Sequence, residues 1–200
     1  MNPGAVSPAE VLDFWLGADD EPVDAKNARW FGASDAFDVA VRERFGAASD
    51  AAVAGEFDGW ADEPRGWLAL LILLDQFPRN NHRDSPLAFA GDVHARTIAA
   101  AGIARGGDYQ LKRIERMFCY MPFEHAEDLA AQERAVQLFT TLRDEMPPAE
   151  RGPFDNFLDY ANRHRDVIAR FGRFPHRNRV LGRTDNPEEQ DYLREPGSGF

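Results

Sequence analysis

An uninterrupted apolar run, WLALLILL at residues 67–74, sets the first limit on how this chain can fold. All of its side chains are apolar, so a helix or strand made from it has no face that favours water. The run is far shorter than the ~20 residues that a membrane-spanning helix needs. We therefore expect it at the centre of a hydrophobic core, which a chain of 200 residues is long enough to build.

The segments around this run carry the start signals and the residue spacing of helices. SPAEVLDFWLG places Ser7 at the N-cap, Pro8 at the first helical position and Glu10 where it completes a capping box. Further helices are predicted from about Ser34 towards Glu56, from Pro64 into LDQFPRN, from Ser85 to RGGD, from Asp108 to an interruption at Pro122, through EHAEDLAAQERAVQLFTTLRDEM, from about Pro153 to Phe171, and near PEEQDYLRE. No segment alternates as a strand would. These features predict an all-α fold, a single domain over residues 1–200 of packed antiparallel helical pairs with a flexible tail at about 195–200.

The overall charge excludes one broad class of partner. The formal net charge is −11, and such a surface repels the phosphate backbone, so we expect no nucleic-acid partner. A single cysteine, Cys119, fits a reducing compartment. The N-terminus has no basic stretch followed by an apolar core, so we expect no secretory signal, a cytoplasmic location and no membrane partner.

Two similar motifs, QFPRN at 76–80 and RFPHRN at 173–178, end two of the predicted helices. Pro78 removes a backbone donor and should push Phe77 away from helical angles, so the helix should stop or kink there. The second motif lies in the segment 163–183, which holds seven arginines and one aspartate. This cationic segment must meet carboxylates of its own fold or bind an anionic ligand, because arginine forks suit both.

Between the two motifs lies YMPFEHAEDLAAQ at 120–132. If this segment is one helix, Glu124, Asp128 and Gln132 stack on one face beside His125. An imidazole among carboxylates keeps its proton to higher pH, which suits a general acid or a member of an ion pair. His125, Asp128 and Glu124 are therefore the candidate catalytic residues.

The blocks LILLDQFPRN, RMFCYMPFEHAEDLAAQER and RFGRFPHRNRVLGR resemble those of the bacterial domain-of-unknown-function 924 family, over nearly the whole chain. This resemblance implies an all-helical fold similar to tetratricopeptide-repeat arrangements, and it implies no established activity. The matching motif residues here are Asp75, Gln76, Arg79, Asn80, Arg116, Tyr120, Pro122, His125, Glu127, Asp128, Gln132, Arg173, His176, Arg177 and Asn178. Two segments depart from the family pattern, RDSP at 83–86 and TDNPEE at 184–189, and both fall at predicted helix starts.

Two interpretations of the polar residues remain open at this stage. In the first, the two motifs are walls of one polar site that binds, and by a hydrolase-like reaction processes, an anionic small molecule. In the second, Asp75, Arg79 and Arg173 form a structural clasp in a protein or peptide interaction module. The candidate ligand-binding residues are Asp75, Gln76, Arg79, Asn80, Arg116, Tyr120, Arg173, His176, Arg177 and Asn178.

Other chemistries have weaker support in the sequence. No spacing typical of a metal site occurs, so no metal or cofactor is predicted. Cys119 has apolar neighbours and is expected to be inert. His82, His94, His164 and His176 are expected to be structural or exposed, although His176 belongs to the second motif. Nothing in the sequence indicates an oligomeric state.

Overall fold

The computed structural model of the protein describes residues 6–32 and 34–199. These residues form helices, turns and loops, and none of them lies in a β-strand, so the predicted all-α fold is confirmed. The described helices are α1 (Pro8–Leu16), α2 (Val23–Phe31), α3 (Asp35–Val53), α4 (Pro64–Leu71), α5 (Phe77–Asn81), α6 (Asp92–Ala104), α7 (Arg113–Glu124), α8 (Leu129–Asp144), α9 (Gly152–Phe171) and α10 (Pro187–Tyr192). The expectations for residues 1–5 and for Phe200 lie outside the described residues. None of the described helices is both long and apolar enough to span a membrane.

The chain packs as two compact units. The N-terminal unit comprises the described residues up to Arg83 together with Leu87–Pro122, and the C-terminal unit comprises Asp84–Pro86 and the described residues from Phe123 onwards. The boundary after Pro122 falls inside α7. The sequence-based assignment of one domain stays a prediction.

The apolar run lies in the core of the N-terminal unit. Trp67 to Leu74 are at most 1% exposed, and the run forms α4 and the turn that follows it. Aromatic side chains complete this core, with the Trp15 ring 5.6 Å from Phe77 and 5.7 Å from Phe118. The Trp30 indole anchors the unpredicted helix α2, because its Nε1 donates to the Trp15 carbonyl oxygen at 2.7 Å.

A wide π-helical turn at Ile72–Gln76 joins α4 to α5. Phe77 N–H donates to the Ile72 carbonyl, and Phe77 has φ −63° and ψ −34°, so the prediction that Phe77 leaves the helical region is wrong. The wider turn accommodates the missing N–H of Pro78 without ending the helix. A Cβ atom at Gly91 would lie 2.1 Å from the Leu74 carbonyl oxygen, so only glycine permits this approach beside the turn.

Several helix ends differ from their predicted positions. The capping box of Ser7 and the N-cap of Ser34 are as predicted, but α6 begins at Asp92 and not at Ser85. Asp108 opens a short 3₁₀ turn and α7 begins only at Arg113. Helix α7 also continues through Pro122, which was expected to interrupt it, and ends at Glu124.

In the C-terminal unit, α8 packs along α9 as a helical pair. Helix α9 ends at Gly172, whose positive φ of 70° suits glycine, and the chain then enters the RFPHRN motif. Val167, Ile168 and Phe174 form a small core that Phe171 and Tyr192 cover, so α10 packs beside the end of α9. This arrangement holds the motif in place between two helices of the same unit.

Candidate functional site

In the N-terminal unit, the QFPRN motif forms ion pairs around Arg79. Both terminal nitrogens of Arg79 donate to the Asp92 carboxylate, at 2.9 and 3.1 Å. Arg79 Nη1 also donates to the Asp75 carbonyl at 2.5 Å and lies 3.3 Å from Asp75 Oδ1. Gln76 Nε2 donates to Asp75 Oδ2 at 2.6 Å. The two carboxylates raise the pKa of Arg79 although its burial acts in the opposite direction, so the guanidinium is charged.

Asn80 contributes to a separate contact with α3. Its Nδ2 donates to Asp38 Oδ1 at 2.7 Å, and Arg83 forks onto the same carboxylate. Asp38 is 5% exposed, and its pKa is lowered by the hydrogen bonds from Arg83 and Asn80, which outweigh the effect of its burial. Asn80 therefore ties α5 to α3.

Arg116 and Tyr120 form a second polar group in the N-terminal unit, which we call the Asp108 cluster (Asp108, Tyr109, Arg116 and Tyr120). Tyr120 OH donates to Asp108 Oδ2 at 2.7 Å and accepts from Arg116 Nε at 3.0 Å. Arg116 Nη2 lies 3.8 Å from Asp108 Oδ2, and the Tyr109 ring covers the guanidinium at 4.4 Å. Burial and the hydrogen bond to Asp108 raise the pKa of the Tyr120 hydroxyl well above its usual value.

In the C-terminal unit, the arginine that begins the RFPHRN motif pairs with α10. Arg173 Nε and Nη2 donate to the two oxygens of Glu189 at 2.6 and 2.8 Å. The backbone N–H of Asn186 donates to Glu189 Oε2 at 2.8 Å as part of the capping box of α10. The Arg173 hydrogen bond is the largest cause that lowers the pKa of Glu189 to about 2. Asn178 Nδ2 donates to Asp185 Oδ1 at 2.7 Å, so it also belongs to this framework.

Glu127 fastens the segment after α7 to the same motif. Its carboxylate accepts from the backbone N–H of Phe174 at 2.8 Å and from both terminal nitrogens of Arg183 at 2.6 and 2.8 Å. Arg183 also donates to the Phe174 carbonyl at 3.1 Å. The cationic segment thus meets carboxylates of its own fold at Arg173 and Arg183, one of the two possibilities that the sequence left open.

The catalytic candidates do not stack on one helix as predicted. Glu124 ends α7, His125 lies in the link, and Asp128 is the N-cap of α8 with its Oδ1 accepting from Ala131 N–H at 2.7 Å. Gln132, which is fully buried, donates from Nε2 to the carbonyls of Glu124 at 2.5 Å and Ala126 at 2.8 Å. Gln132 thus bonds to carbonyls at and just after the end of α7. Glu124, Asp128 and Gln132, which are four residues apart in sequence, therefore do not lie on one helix.

Two histidines and one arginine lie around the Phe174 ring and a third histidine lies beside one of them, and we call His125, His164, His176 and Arg177 the histidine–arginine cluster. The His164 and His176 rings each lie 5.5 Å from Phe174, and the Arg177 guanidinium carbon lies 4.4 Å from the same ring. The His125 ring is 6.3 Å from His164. The elements that supply these residues are the link after α7, helix α9 and the motif itself.

The electrostatics of this cluster disfavour protonated imidazole. Burial, followed by repulsion from His125, lowers the pKa of His164 to about 3. Burial, followed by repulsion from Arg177, lowers the pKa of His176 to about 4. His164 Nδ1 lies 2.9 Å from the Tyr160 carbonyl and 3.2 Å from Glu124 Oε1. The Glu124 carboxylate favours the protonated form, but His164 is only 7% exposed and its desolvation dominates.

Sequence reasoning did not include His164 among the candidate site residues and expected it to be structural or exposed. The structure places it buried, in the histidine–arginine cluster. The available signal was its position in α9, because Ala161, His164 and Ile168 share the spacing of the buried face. The sequence analysis did not identify Glu189 as the partner of Arg173 or Arg183 as the partner of Glu127, because the members of each pair lie far apart in the sequence.

The candidate residues fall into two sets. Asp75, Gln76, Arg79, Asn80, Arg116 and Tyr120 lie in the N-terminal unit, and Glu124, His125, Asp128, Arg173, His176, Arg177 and Asn178 lie in the C-terminal unit. That the two motifs are walls of one site stays a prediction. Among the described residues, no group of three or more His, Cys, Asp or Glu side chains is placed to hold a metal ion.

Comparison with known proteins identifies the family. The model of a family described as bacterial protein of unknown function (DUF924) matches residues 11–197. The solved structure of a protein of unknown function from Agrobacterium tumefaciens is 41% identical, covers 94% of this chain and 96% of its own, and superposes with a TM-score of 0.79. No curated protein matches the chain. Because the family match extends over nearly all of the sequence, the protein belongs to the bacterial DUF924 family.

Proposed function

We propose that the C-terminal unit binds the phosphate or carboxylate group of an anionic small molecule at the histidine–arginine cluster. The observation that carries this proposal is the fixed position of the Arg177 guanidinium, 4.4 Å from the Phe174 ring, with two imidazoles 5.5 Å from that ring. A guanidinium stays charged at every physiological pH and matches the oxygens of phosphate or carboxylate. Neutral imidazoles beside it supply further hydrogen-bond donors.

The surrounding framework supports this assignment. Arg173 and Arg183 each form a bidentate pair with one carboxylate, Glu189 and Glu127 respectively. These pairs fix the backbone on both sides of Arg177 through Phe174 N–H and through α10. A site held by partly buried ion pairs loses little conformational entropy when a ligand binds, because its side chains are already positioned.

Proton transfer at the same cluster is the catalytic part of the proposal. His125 is the candidate general acid or base, because it is the partly exposed histidine in the link between α7 and α8. Glu124 lies 3.2 Å from His164, which in turn neighbours His125, so a carboxylate beside the cluster can accept a proton. The Asp128 carboxylate accepts a backbone hydrogen bond as the cap of α8, which favours a positioning role for it. Hydrolysis of a phosphate or carboxylate ester is the reaction class that these groups suit.

Inorganic phosphate is the probe for the binding step. We expect it to shift the ring resonances of His125 and His176 saturably in NMR spectra at pH 7, and to raise the pKa of His176 by about 1 unit or more, because a nearby anion favours imidazolium. Arg177→Met should remove the saturable shift. Arg179→Met is the matched control, since Arg179 is an exposed neighbour that pairs with Asp84, and it should leave the shift unchanged.

Three results separate the parts of this proposal. Equal phosphate binding by wild type and Arg177→Met, with both proteins folded, would place the anion elsewhere. No saturable shift with phosphate, sulfate or citrate would refute anion binding at the cluster. For catalysis, we expect wild type to hydrolyse generic phosphate and carboxylate esters faster than His125→Asn does. Equal rates would refute the catalytic part of the proposal and support only a binding function.

A further inference from the structure

One buried carboxylate oxygen in the N-terminal unit has no hydrogen-bond donor among the described residues. Asp108 is 2% exposed, and its Oδ2 accepts from Tyr120, but its Oδ1 is buried with no hydrogen-bond partner within the described part of the chain. Desolvating a carboxylate oxygen without a donor is costly, so buried oxygens of this kind normally accept from the protein, from ordered water or from a ligand. A carboxylate only accepts hydrogen bonds, so the missing partner must supply an N–H or O–H group.

The charge around Asp108 favours a cationic donor. Three charged side chains are buried here, and two of them, Asp108 and Glu115, are carboxylates while only Arg116 is a cation. The Arg65 guanidinium that reaches Glu115 at 3.2 Å is itself 56% exposed, so water screens its charge. The pKa of the Cys119 thiol is consistent with this excess of negative charge. Burial raises that pKa most, Asp108 and Glu115 raise it further, and Arg116 lowers it more weakly.

The Asp108 cluster also has an aromatic cover that faces solvent. The Tyr109 ring lies 4.4 Å from the Arg116 guanidinium carbon, yet Tyr109 is 65% exposed while Arg116 is 3% exposed. Rotation of this exposed side chain would uncover the guanidinium without disturbing the core. Tyrosine faces also attract ammonium groups, so the cover itself favours a cationic ligand.

We propose that the Asp108 cluster is a second ligand site, which takes a primary alkylammonium group whose N–H bonds to Asp108 Oδ1 under the ring of Tyr109. This site is independent of the anion site proposed for the C-terminal unit. Tyr120 OH already bonds in both directions, to Asp108 and from Arg116, and so holds the carboxylate with Oδ1 turned away from it. The ligand is bound by hydrogen bonding and charge, and no covalent step is involved.

Methylammonium is the probe, with tetramethylammonium as the matched cation that has no N–H donor. We expect methylammonium to shift the Tyr109 and Tyr120 ring resonances saturably, with tetramethylammonium at least about tenfold weaker, since one charge-assisted hydrogen bond separates them. Asp108→Asn should weaken methylammonium binding by about tenfold or more. The control Asp62→Asn, at an exposed position of the same unit, should bind as wild type does.

Each other outcome counts against the site. Absence of a saturable shift with methylammonium overturns the proposal and leaves ordered water as the partner of Asp108 Oδ1. Equal shifts with the two cations overturn the hydrogen bond and indicate general cation attraction. If Asp108→Asn does not fold, Tyr109→Ala decides: an unchanged methylammonium affinity in that variant would exclude a site under the Tyr109 ring.

Discussion

Replacement of Arg79 by methionine tests whether the QFPRN motif is a clasp within the N-terminal unit. The substitution keeps an unbranched apolar stem and removes the guanidinium. Asp75, which is 1% exposed, then loses the positive charge 3.3 Å from its Oδ1 and keeps the hydrogen bond from Gln76. Asp92 loses both of its bonds from Arg79.

The expected cost follows from the burial of the groups left behind. Removing one partner of a buried ion pair typically costs ~3–5 kcal/mol, because an uncompensated charge remains inside the protein. The Arg79 and Asp92 side chains are 22% and 15% exposed, so water can reach part of this group. We therefore expect the lower end of that range, about 3 kcal/mol of unfolding free energy.

Urea unfolding at pH 7 of wild type, Arg79→Met, Asp75→Asn and the double variant measures the coupling between the two residues. If Asp75 is the stranded charge, the double variant should be less destabilised than the sum of the two single variants by about 1 kcal/mol or more. Arg113→Met, at an exposed position on α7, is the control and should change stability by less than about 0.5 kcal/mol.

Two results would refute the clasp. The first is an Arg79→Met variant within about 0.5 kcal/mol of wild type, which would show that Arg79 is kept for a purpose other than stability. The second is full additivity of the two substitutions, which would show that Asp75 does not depend on the guanidinium.

Two further predictions concern stability. Asn81 is 6% exposed and neither polar atom of its side chain has a hydrogen-bond partner among the described residues, so Asn81→Leu should raise the unfolding free energy by about 1–2 kcal/mol. Asn80→Leu is the control and should lower it, because Asn80 loses its bond to Asp38. A destabilised Asn81→Leu variant in urea unfolding would show that the Asn81 amide is solvated. The pKa values of about 3 for His164 and about 4 for His176 lie below the unfolded value near 6.5, so the unfolded state binds more protons below pH 6.5 and stability should fall by about 1–2 kcal/mol per histidine between pH 7 and pH 5. His164→Gln and His176→Gln should each flatten this pH dependence, and an unchanged slope in both variants would contradict the buried neutral histidines.

The parts of the fold that depend on local chemistry could be predicted from the sequence. The capping box of Ser7 and the N-cap of Ser34 form as expected, because each involves residues three positions apart. The burial of 67–74 followed from its composition alone. The prediction that Phe77 leaves the helical region was wrong because a wider hydrogen-bonded turn offsets the local steric preference of a residue before proline. A rule based on local sequence cannot anticipate such a turn.

The candidate site could be predicted only in part. The RFPHRN motif was recognised as needing carboxylates or an anion, but its actual partners, Glu127 and Glu189, lie 47 and 16 residues away along the chain. The link after α7 was assigned to one continuous helix, because nothing local indicates that Gln132 caps the carbonyls of Glu124 and Ala126. Long-range partners of this kind depend on how α8, α9 and α10 pack, and that packing is not encoded in any short pattern.

The pairing of Arg173 with Glu189 also has a consequence for biosynthesis. A chain leaves the ribosome from its N-terminus, so Arg173 emerges before its partner Glu189, and Glu127 emerges before its partner Arg183. Until those residues have been synthesised, the segment that carries Phe174 and Arg177 lacks both of its bidentate carboxylate pairs. We therefore expect the C-terminal unit to acquire its folded form late in translation, after the N-terminal unit has buried its own apolar run.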